Sequence, residues 1–116
     1  MKKILPFILL VFLVGCGGSK QTRSIADVSK PETITLKKAS SQGNIHSMTV
    51  MGKGHLNGSA EIILILNGKP YKTENLSGNV HFTWTGDWYS DTAQIEYKPS
   101  SVKNGNLNLQ YKFEDI

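Results

Sequence analysis

The chain lacks three features that would place it in common protein classes. It has a single cysteine, Cys16, among 116 residues, so no internal disulfide can stabilise the fold. Beyond Lys2-Lys3 and Lys37-Lys38 it has no cluster of basic residues, which argues against a nucleic-acid-binding protein. We also find no helix-period pattern and no internal repeat after residue 31, which argues against helical and solenoid folds.

The longest apolar segment lies at the N-terminus, where Ile4–Val14 follows Lys2 and Lys3. A positive stretch before a short apolar one is typical of a secretory signal peptide. As a helix this segment would reach only about 16 Å, against roughly 30 Å of hydrocarbon in a bilayer. Removal of residues 1–15 leaves eleven basic residues against nine acidic ones, so the net charge falls from +4 to +2.

The segment ends in Leu13-Val14-Gly15-Cys16, which resembles the lipobox of bacterial lipoproteins. The resemblance covers residues 1–16 and implies a diacylglyceryl group on the Cys16 thiol, with cleavage between Gly15 and Cys16. Gly17 stands where Asp often signals retention in the inner membrane. The resemblance therefore implies an exported, membrane-anchored protein. It would lie in the outer membrane of a diderm bacterium or on the outer face of the cell membrane of a monoderm one. The alternative is a signal peptide cut elsewhere, which would leave a free thiol.

Residues 16–31 are predicted to be a lipidated cysteine followed by a flexible tether. Small and polar residues dominate, and the only apolar ones after the cysteine are Ile25, Ala26 and Val28. A flexible chain of this length spans roughly 20 Å. A short helix near 24–29 is the alternative.

Residues 32–116 are predicted to form one all-β domain. Apolar and polar residues alternate along Val80–Trp84, Ala93–Tyr97 and Leu107–Phe113, as in antiparallel strands with one wet face. The continuous run Ile62–Leu66 indicates a strand covered on both faces, and Asn67-Gly68 after it is a hairpin signal. About seven strands are expected, near 33–38, 44–51, 59–66, 69–74, 79–85, 92–98 and 106–113. We expect an antiparallel β-sandwich, immunoglobulin-like or jelly-roll-like, with a small β-barrel as the alternative.

The densest candidate binding segment is 83–91, which carries both tryptophans. Trp84 shares a phase with the core positions before it, whereas Trp88 and Tyr89 fall in the connection that follows. We predict Trp88, Tyr89 and Asp87 to form a ligand- or partner-binding site, because exposed aromatic rings stack on sugars or anchor protein partners. In the other interpretation, Trp88 folds back to cap the open end of the sandwich.

Other site chemistry has little support in the sequence. The three histidines match no zinc spacing, and two aspartates in segment 83–91 lack the further acids of a calcium loop. No Gly-x-Ser-x-Gly elbow or free cysteine is present, so we assign no catalytic residue, metal or cofactor. A polar surface is expected where side chains of the last strand lie beside Gln94 and Glu96; its other members are Asn106, Asn108, Gln110 and Lys112.

These observations favour a lipid-anchored, non-catalytic binding module of the envelope. The predicted partner is an envelope protein. A carbohydrate-binding module for envelope glycans is the alternative, and a small hydrolase is the least favoured one. A nucleic-acid partner is not expected.

Overall fold

The computed structural model describes residues 20–116. The predicted signal peptide, the lipobox and Cys16 lie outside these residues, so the predictions made for them stay predictions.

The described chain is all-β and antiparallel. Its six strands are β1 (Gln21–Ser24), β2 (Glu32–Lys37), β3 (Ile45–Leu66), β4 (Lys69–Asp87), β5 (Thr92–Pro99) and β6 (Asn104–Asp115). No helix of a length and hydropathy that could cross a bilayer occurs in this part of the chain.

Two long strands, β3 and β4, form a hairpin that runs through both layers of a sandwich. Sheet I contains β1, β6, residues 45–57 of β3 and residues 78–87 of β4. Sheet II contains β2, β5, residues 59–66 of β3 and residues 69–77 of β4. Among the six described strands, β4 pairs only with β3, so it is the edge strand of both sheets.

The predicted β-sandwich is confirmed, but the described chain has six strands where about seven were expected. The predicted strands 44–51 and 59–66 are one continuous strand, and so are 69–74 and 79–85. Both long strands bend where their pairing slips between Leu56 and Ser59. Gly58 lies at this bend with φ +131°, a conformation that a side chain would oppose. The glycines that resemble turn signals therefore bend these strands without ending them.

The core is formed by the alternating apolar phase of both sheets. Ile34, Val50, Ile95, Leu109 and Phe113 are fully buried, and no polar or charged residue is buried among the described ones. Only part of the apolar run in β3 is covered on both faces. Ile63, which lies outside the main core cluster, is buried on the outer face, but Leu66 at the strand end is 38% exposed.

Residues 21–31 differ from the predicted tether because they belong to the folded domain. β1 pairs with β6 from Gln21↔Tyr111 to Ser24↔Asn108, and Ile25 and Val28 are buried in the core. The hydroxyl of Tyr97 donates a hydrogen bond of 2.6 Å to the carbonyl of Val28. The apolar positions of the segment thus fill the core, so neither a flexible tether nor a helix is formed there.

Candidate functional site

The sandwich has two chemically different ends. We name the first the tyrosine end: it comprises the β3–β4 turn at 67–68, the connections 38–44 and 88–91, and the C-terminus. The second, the bend end, comprises the bends of β3 and β4 and the connections 25–31 and 100–103. The predicted site at 83–91 lies at the tyrosine end.

Trp88 is not an exposed platform, which corrects the predicted site. Its side chain is 6% exposed, and its indole N–H donates a hydrogen bond of 3.0 Å to the carbonyl of Thr92. Its backbone N–H donates to the carbonyl of His46 at 3.2 Å, which continues the β3–β4 pairing. Trp88 therefore keeps the inward phase of Trp84 and caps the core, so its ring cannot stack on a ligand.

Tyr89 and Asp87, the other two predicted residues, are exposed. The Tyr89 side chain is 77% exposed on a short connection held on one side by the buried Trp88. On the other side, the N–H of Lys38 donates to the carbonyl of Asp91 at 2.9 Å. Tyr89 thus projects into solvent from a loop anchored at both sides.

The structure adds Tyr71 and Lys72 to this region. They line a cleft of about 60 Å³ together with Asp87, Trp84 and Trp88. The Lys72 ammonium lies 5.4 Å from the centroid of the Tyr71 ring, within cation–π range. Sequence reasoning missed both residues, because only the fold-back of β4 brings its first residues beside its last. The cleft is smaller than the roughly 300–1,000 Å³ of ligand pockets, so it fits a small group at most.

A larger concave surface, missed by sequence reasoning, lies at the bend end. This groove of about 560 Å³ is lined by Ser59, Ala60, Glu61, Asn75, Leu76, Ser77, Lys98, Pro99 and Ser100. Hydroxyl, amide and charged groups predominate, and no aromatic ring takes part. The groove can offer hydrogen bonds to a polar ligand but no stacking surface.

The predicted polar surface exists only in part. On sheet I, Asn106 lies opposite His55, and Asn108 lies opposite Lys53. Gln94 and Glu96, in contrast, belong to β5 in sheet II. Strand order separates them, because β6 pairs with β1 and β3 and not with β5. The asparagines of β6 and the Gln94–Glu96 pair therefore occupy opposite faces of the sandwich.

The histidine side chains of the described chain either bind a neighbouring residue or contact solvent. Nδ1 of His55 lies 2.9 Å from the Asn79 side-chain oxygen, and His81 is exposed opposite Lys53. Within residues 20–116, no group of three His, Cys, Asp or Glu side chains is placed to hold a metal ion.

The backbone of β4 offers a further surface, since one side of this strand has no neighbour among residues 20–116. Even-numbered residues of β4 turn their N–H and C=O groups towards β3, as the bond from Trp88 to His46 indicates. The bond from the Lys103 N–H to the Asn57 carbonyl fits the same alternation, because odd residues of β3 face β6. The outward-facing backbone groups of β4 in sheet I therefore belong to its odd-numbered residues, Asn79, His81, Thr83, Thr85 and Asp87.

This free edge is protected unequally along its length. Near the turn, Lys69, Pro70 and the register shift beside Tyr71 discourage strand addition. Residues 79–85 contain no proline, lysine or bulge and have high β propensity. The unprotected part of the edge thus lies in sheet I.

Two carboxylates are perturbed, one at each end of the sandwich. The N–H of Gly43, and then the side-chain amide of Gln42, lower the pKa of Asp115 at the tyrosine end. The hydroxyl and then the backbone N–H of Ser29 lower the pKa of Asp27 at the bend end. Both carboxylates fasten loops and face solvent, so they act as structural acceptors.

Comparison with family models and with curated proteins gives no match. Among solved structures, dimeric latent PorU from Porphyromonas gingivalis is similar, with TM-score 0.50 and 10% identity; the match covers 86% of this chain and 13% of that one. The coat protein of Tobacco streak virus has TM-score 0.49 and 10% identity, with 90% and 91% covered. The carbohydrate-binding module CBM36, solved with calcium and xylotriose, has TM-score 0.38 and 14% identity, with 85% and 92% covered. At such identities the similarity concerns the fold alone.

Proposed function

We propose that this protein is a lipid-anchored, non-catalytic module of a bacterial envelope that binds a protein partner through the free edge of β4. The anchor is the one that the lipobox at 13–16 implies, and Gly17 favours the outer membrane in a diderm bacterium. Partner binding is supported by one observation above the others. The odd-numbered residues of 79–85 turn their backbone groups to a side of β4 where the described part of the chain has no neighbouring strand.

The chemistry of this edge selects the class of partner. N–H and C=O groups repeated at strand spacing are matched by another extended peptide, which adds itself as a further strand. Side chains of the added strand would alternate between the rim of the core, beside Val80, Phe82 and Trp84, and the outer face, beside His81 and Thr83. An extended segment with apolar and polar residues in alternation fits this edge.

A proline substitution tests this mode of binding. A photoreactive residue at Thr85, in living cells, should cross-link the partner. Thr83→Pro should abolish the adduct, because it deletes an outward N–H while leaving the bonds to β3 intact. Thr83→Ala keeps the N–H and should retain most of the adduct. Thermal unfolding of both purified variants shows whether the fold is kept.

Three outcomes would contradict the proposal. The adduct could survive Thr83→Pro, or it could be stronger from a photoreactive residue at Gln94 on the outer face of sheet II. The adduct could also have the mass of two copies of this chain, which would mean that the edge binds a second copy and not a different protein.

A glycan ligand is the second candidate, and the groove at the bend end favours it. Its volume of about 560 Å³ falls within the usual range of ligand pockets. Titration calorimetry with envelope glycan fragments should give binding heat that Asn75→Ala or Lys98→Ala weakens several-fold. Tyr89→Ala, at the far end, is the matched control and should leave the heat unchanged. No heat with any fragment would eliminate this candidate.

A further inference from the structure

The large apolar side chains that are exposed in the described chain all lie at one end. They are Leu66, Tyr71, Tyr89 and Ile116, exposed by 38%, 53%, 77% and 92%. Leu66 and Tyr71 flank the β3–β4 turn, Tyr89 lies on the connection 88–91, and Ile116 is the C-terminal residue. The bend end has no such side chain among the described residues.

Strand register explains why these four residues gather there. The last pairs of sheet I are Ile45↔Asp115 and Ser47↔Asp87, and those of sheet II include Lys37↔Thr92. Residues distant in sequence therefore meet at one end of the sandwich. The four residues are far apart in sequence but share one end of the sandwich, where Tyr71 lines the cleft. We call this set the apolar patch.

Charge at this end is predominantly positive. Lys38 pairs with Asp91 at 3.6 Å and Lys112 with Glu114 at 3.5 Å, and Asp115 accepts hydrogen bonds from Gly43 and Gln42. Four further exposed lysines lie at this end, namely Lys20, Lys37, Lys69 and Lys72, and the remaining acids are Asp87 and Asp115, whose hydrogen-bond donors are neutral.

The N-terminal chain reaches the fold near the same end. Lys20 immediately precedes β1 and lines a shallow depression with Lys112 and Glu114. By register Lys20 lies about three residues, roughly 10 Å, from the end of β6. Four peptide links separate it from Cys16, so their Cα atoms are at most about 14 Å apart. A lipid on Cys16 would therefore hold the tyrosine end close to the bilayer.

We infer that the tyrosine end rests on the lipid headgroup layer, with Tyr89 and Tyr71 in the membrane interface and the lysines around them facing anionic headgroups. This inference rests on the proposed lipid anchor and adds an orientation to it. Tyrosine suits the interface because its ring is apolar and its hydroxyl stays wet. Lysines near an anionic surface add attraction that salt screens. The strands then stand upright, and the free edge of β4 extends away from the membrane.

Depth-dependent quenching tests this orientation in the lipidated protein. The protein is purified from membranes and reconstituted in vesicles of phosphatidylcholine and phosphatidylglycerol that contain a lipid spin-labelled at its headgroup. Since Cys16 is the only native cysteine and carries lipid, one introduced cysteine accepts a fluorophore. The exposed positions are Ser41→Cys at the tyrosine end, Lys103→Cys at the bend end and Asn106→Cys on the face of sheet I.

We expect strong quenching at position 41 and little at positions 103 and 106. Combining Tyr71→Ser with Tyr89→Ser should lower the quenching at position 41 at least two-fold, and high salt should lower it further. Equal quenching at all three positions would overturn the inference, as would the strongest quenching at position 106, which would mean that sheet I lies flat on the membrane.

A separate measurement distinguishes a failure of this inference from a failure of the lipid anchor. Mass spectrometry of the purified protein shows whether Cys16 carries a diacylglyceryl group. If it does not, the proposed anchor fails; an azide-bearing residue at position 41 or 103 then carries the fluorophore in place of the introduced cysteine, and the Cys16 thiol is coupled to a maleimide lipid. Quenching at position 41 but not at 103 would then still support the membrane-facing tyrosine end.

Discussion

The two ends of this sandwich are built from the same strands but differ in chemistry. The tyrosine end exposes Leu66, Tyr71, Tyr89 and Ile116 around a cleft of about 60 Å³. The bend end exposes serine, asparagine and charged side chains around a groove of about 560 Å³. The same strands therefore expose large apolar side chains at one end and mostly polar groups at the other.

The largest effect is expected within the tyrosine end, from neighbouring aromatic residues. Trp88→Ala should lower the free energy of unfolding by about 3–5 kcal/mol, because it removes a buried ring and leaves a cavity. Tyr89→Ala should change it by less than about 0.5 kcal/mol. Urea unfolding of both variants provides the measurement. Similar losses in the two would mean that Trp88 does not cap the core.

A glycine at each end gives the second prediction. A Cβ on Gly58, at the bend end, would collide with the carbonyl of Ser101, and its φ of +131° opposes any side chain. Gly58→Ala should therefore cost about 3 kcal/mol in the free energy of unfolding. Gly86→Ala, near the tyrosine end, meets no atom within 4 Å and should be nearly neutral. If both variants unfold alike, the bend does not depend on this backbone conformation.

The hydrogen bond from Tyr97 to Val28, which holds the connection 25–31 at the bend end, gives a smaller effect on stability, and this effect depends on pH. Tyr97→Phe leaves the buried carbonyl of Val28 without its donor, at a cost of about 1–2 kcal/mol. Burial, and then the charge of Asp27, raise the pKa of Tyr97 above its ordinary value of 10.0. Because the folded-state pKa is the higher one, stability is complete below pH 10.0 and falls as pH rises further. Tyr97→Phe should abolish this decline of stability at alkaline pH. An unchanged decline would mean that Tyr97 does not cause it.

The smallest effect concerns the loop carboxylates of the two ends. The pKa of Asp115 and that of Asp27 both lie below the ordinary value of 3.8. Each therefore contributes stability that is present above that pH and is lost as pH falls through the folded-state value. Asp115→Asn and Asp27→Asn should each flatten the acid side of the stability curve, measured by Tm from pH 2 to pH 6. A steeper acid side in either variant would contradict the assigned hydrogen bonds.

Much of the fold was predictable because alternation fixes which face of a strand is buried. The inward phases of Val80–Trp84, Ala93–Tyr97 and Leu107–Phe113 are as predicted. The continuity of β3 and β4 was not, because Gly58 and Gly78 have the appearance of turn residues. Pairing of β1 with β6 spans most of the chain and has no local signal.

The site was less predictable than the fold. Segment 83–91 is aromatic as predicted, and of the two interpretations of Trp88 the inward, capping one is correct, because Trp88 keeps the even-numbered phase of Trp84. If the inward alternation of this strand is continued from Trp84 through Gly86, it places Trp88 inside the sandwich. Tyr71 and Lys72 could not be found from sequence, since they reach the cleft only through the bend in β4.

The pairing of β1 with β6 sets the order in which the domain can be completed. β3 and β4 are joined by a two-residue turn and can pair progressively from it, whereas Gln21 pairs with Tyr111 across most of the chain. Under the proposed export with the N-terminus first, β1 would cross the membrane early and would have no partner until β6 followed. Sheet I would then be completed only after translocation of β6, and until that point its core residues would stay accessible to chaperones and proteases.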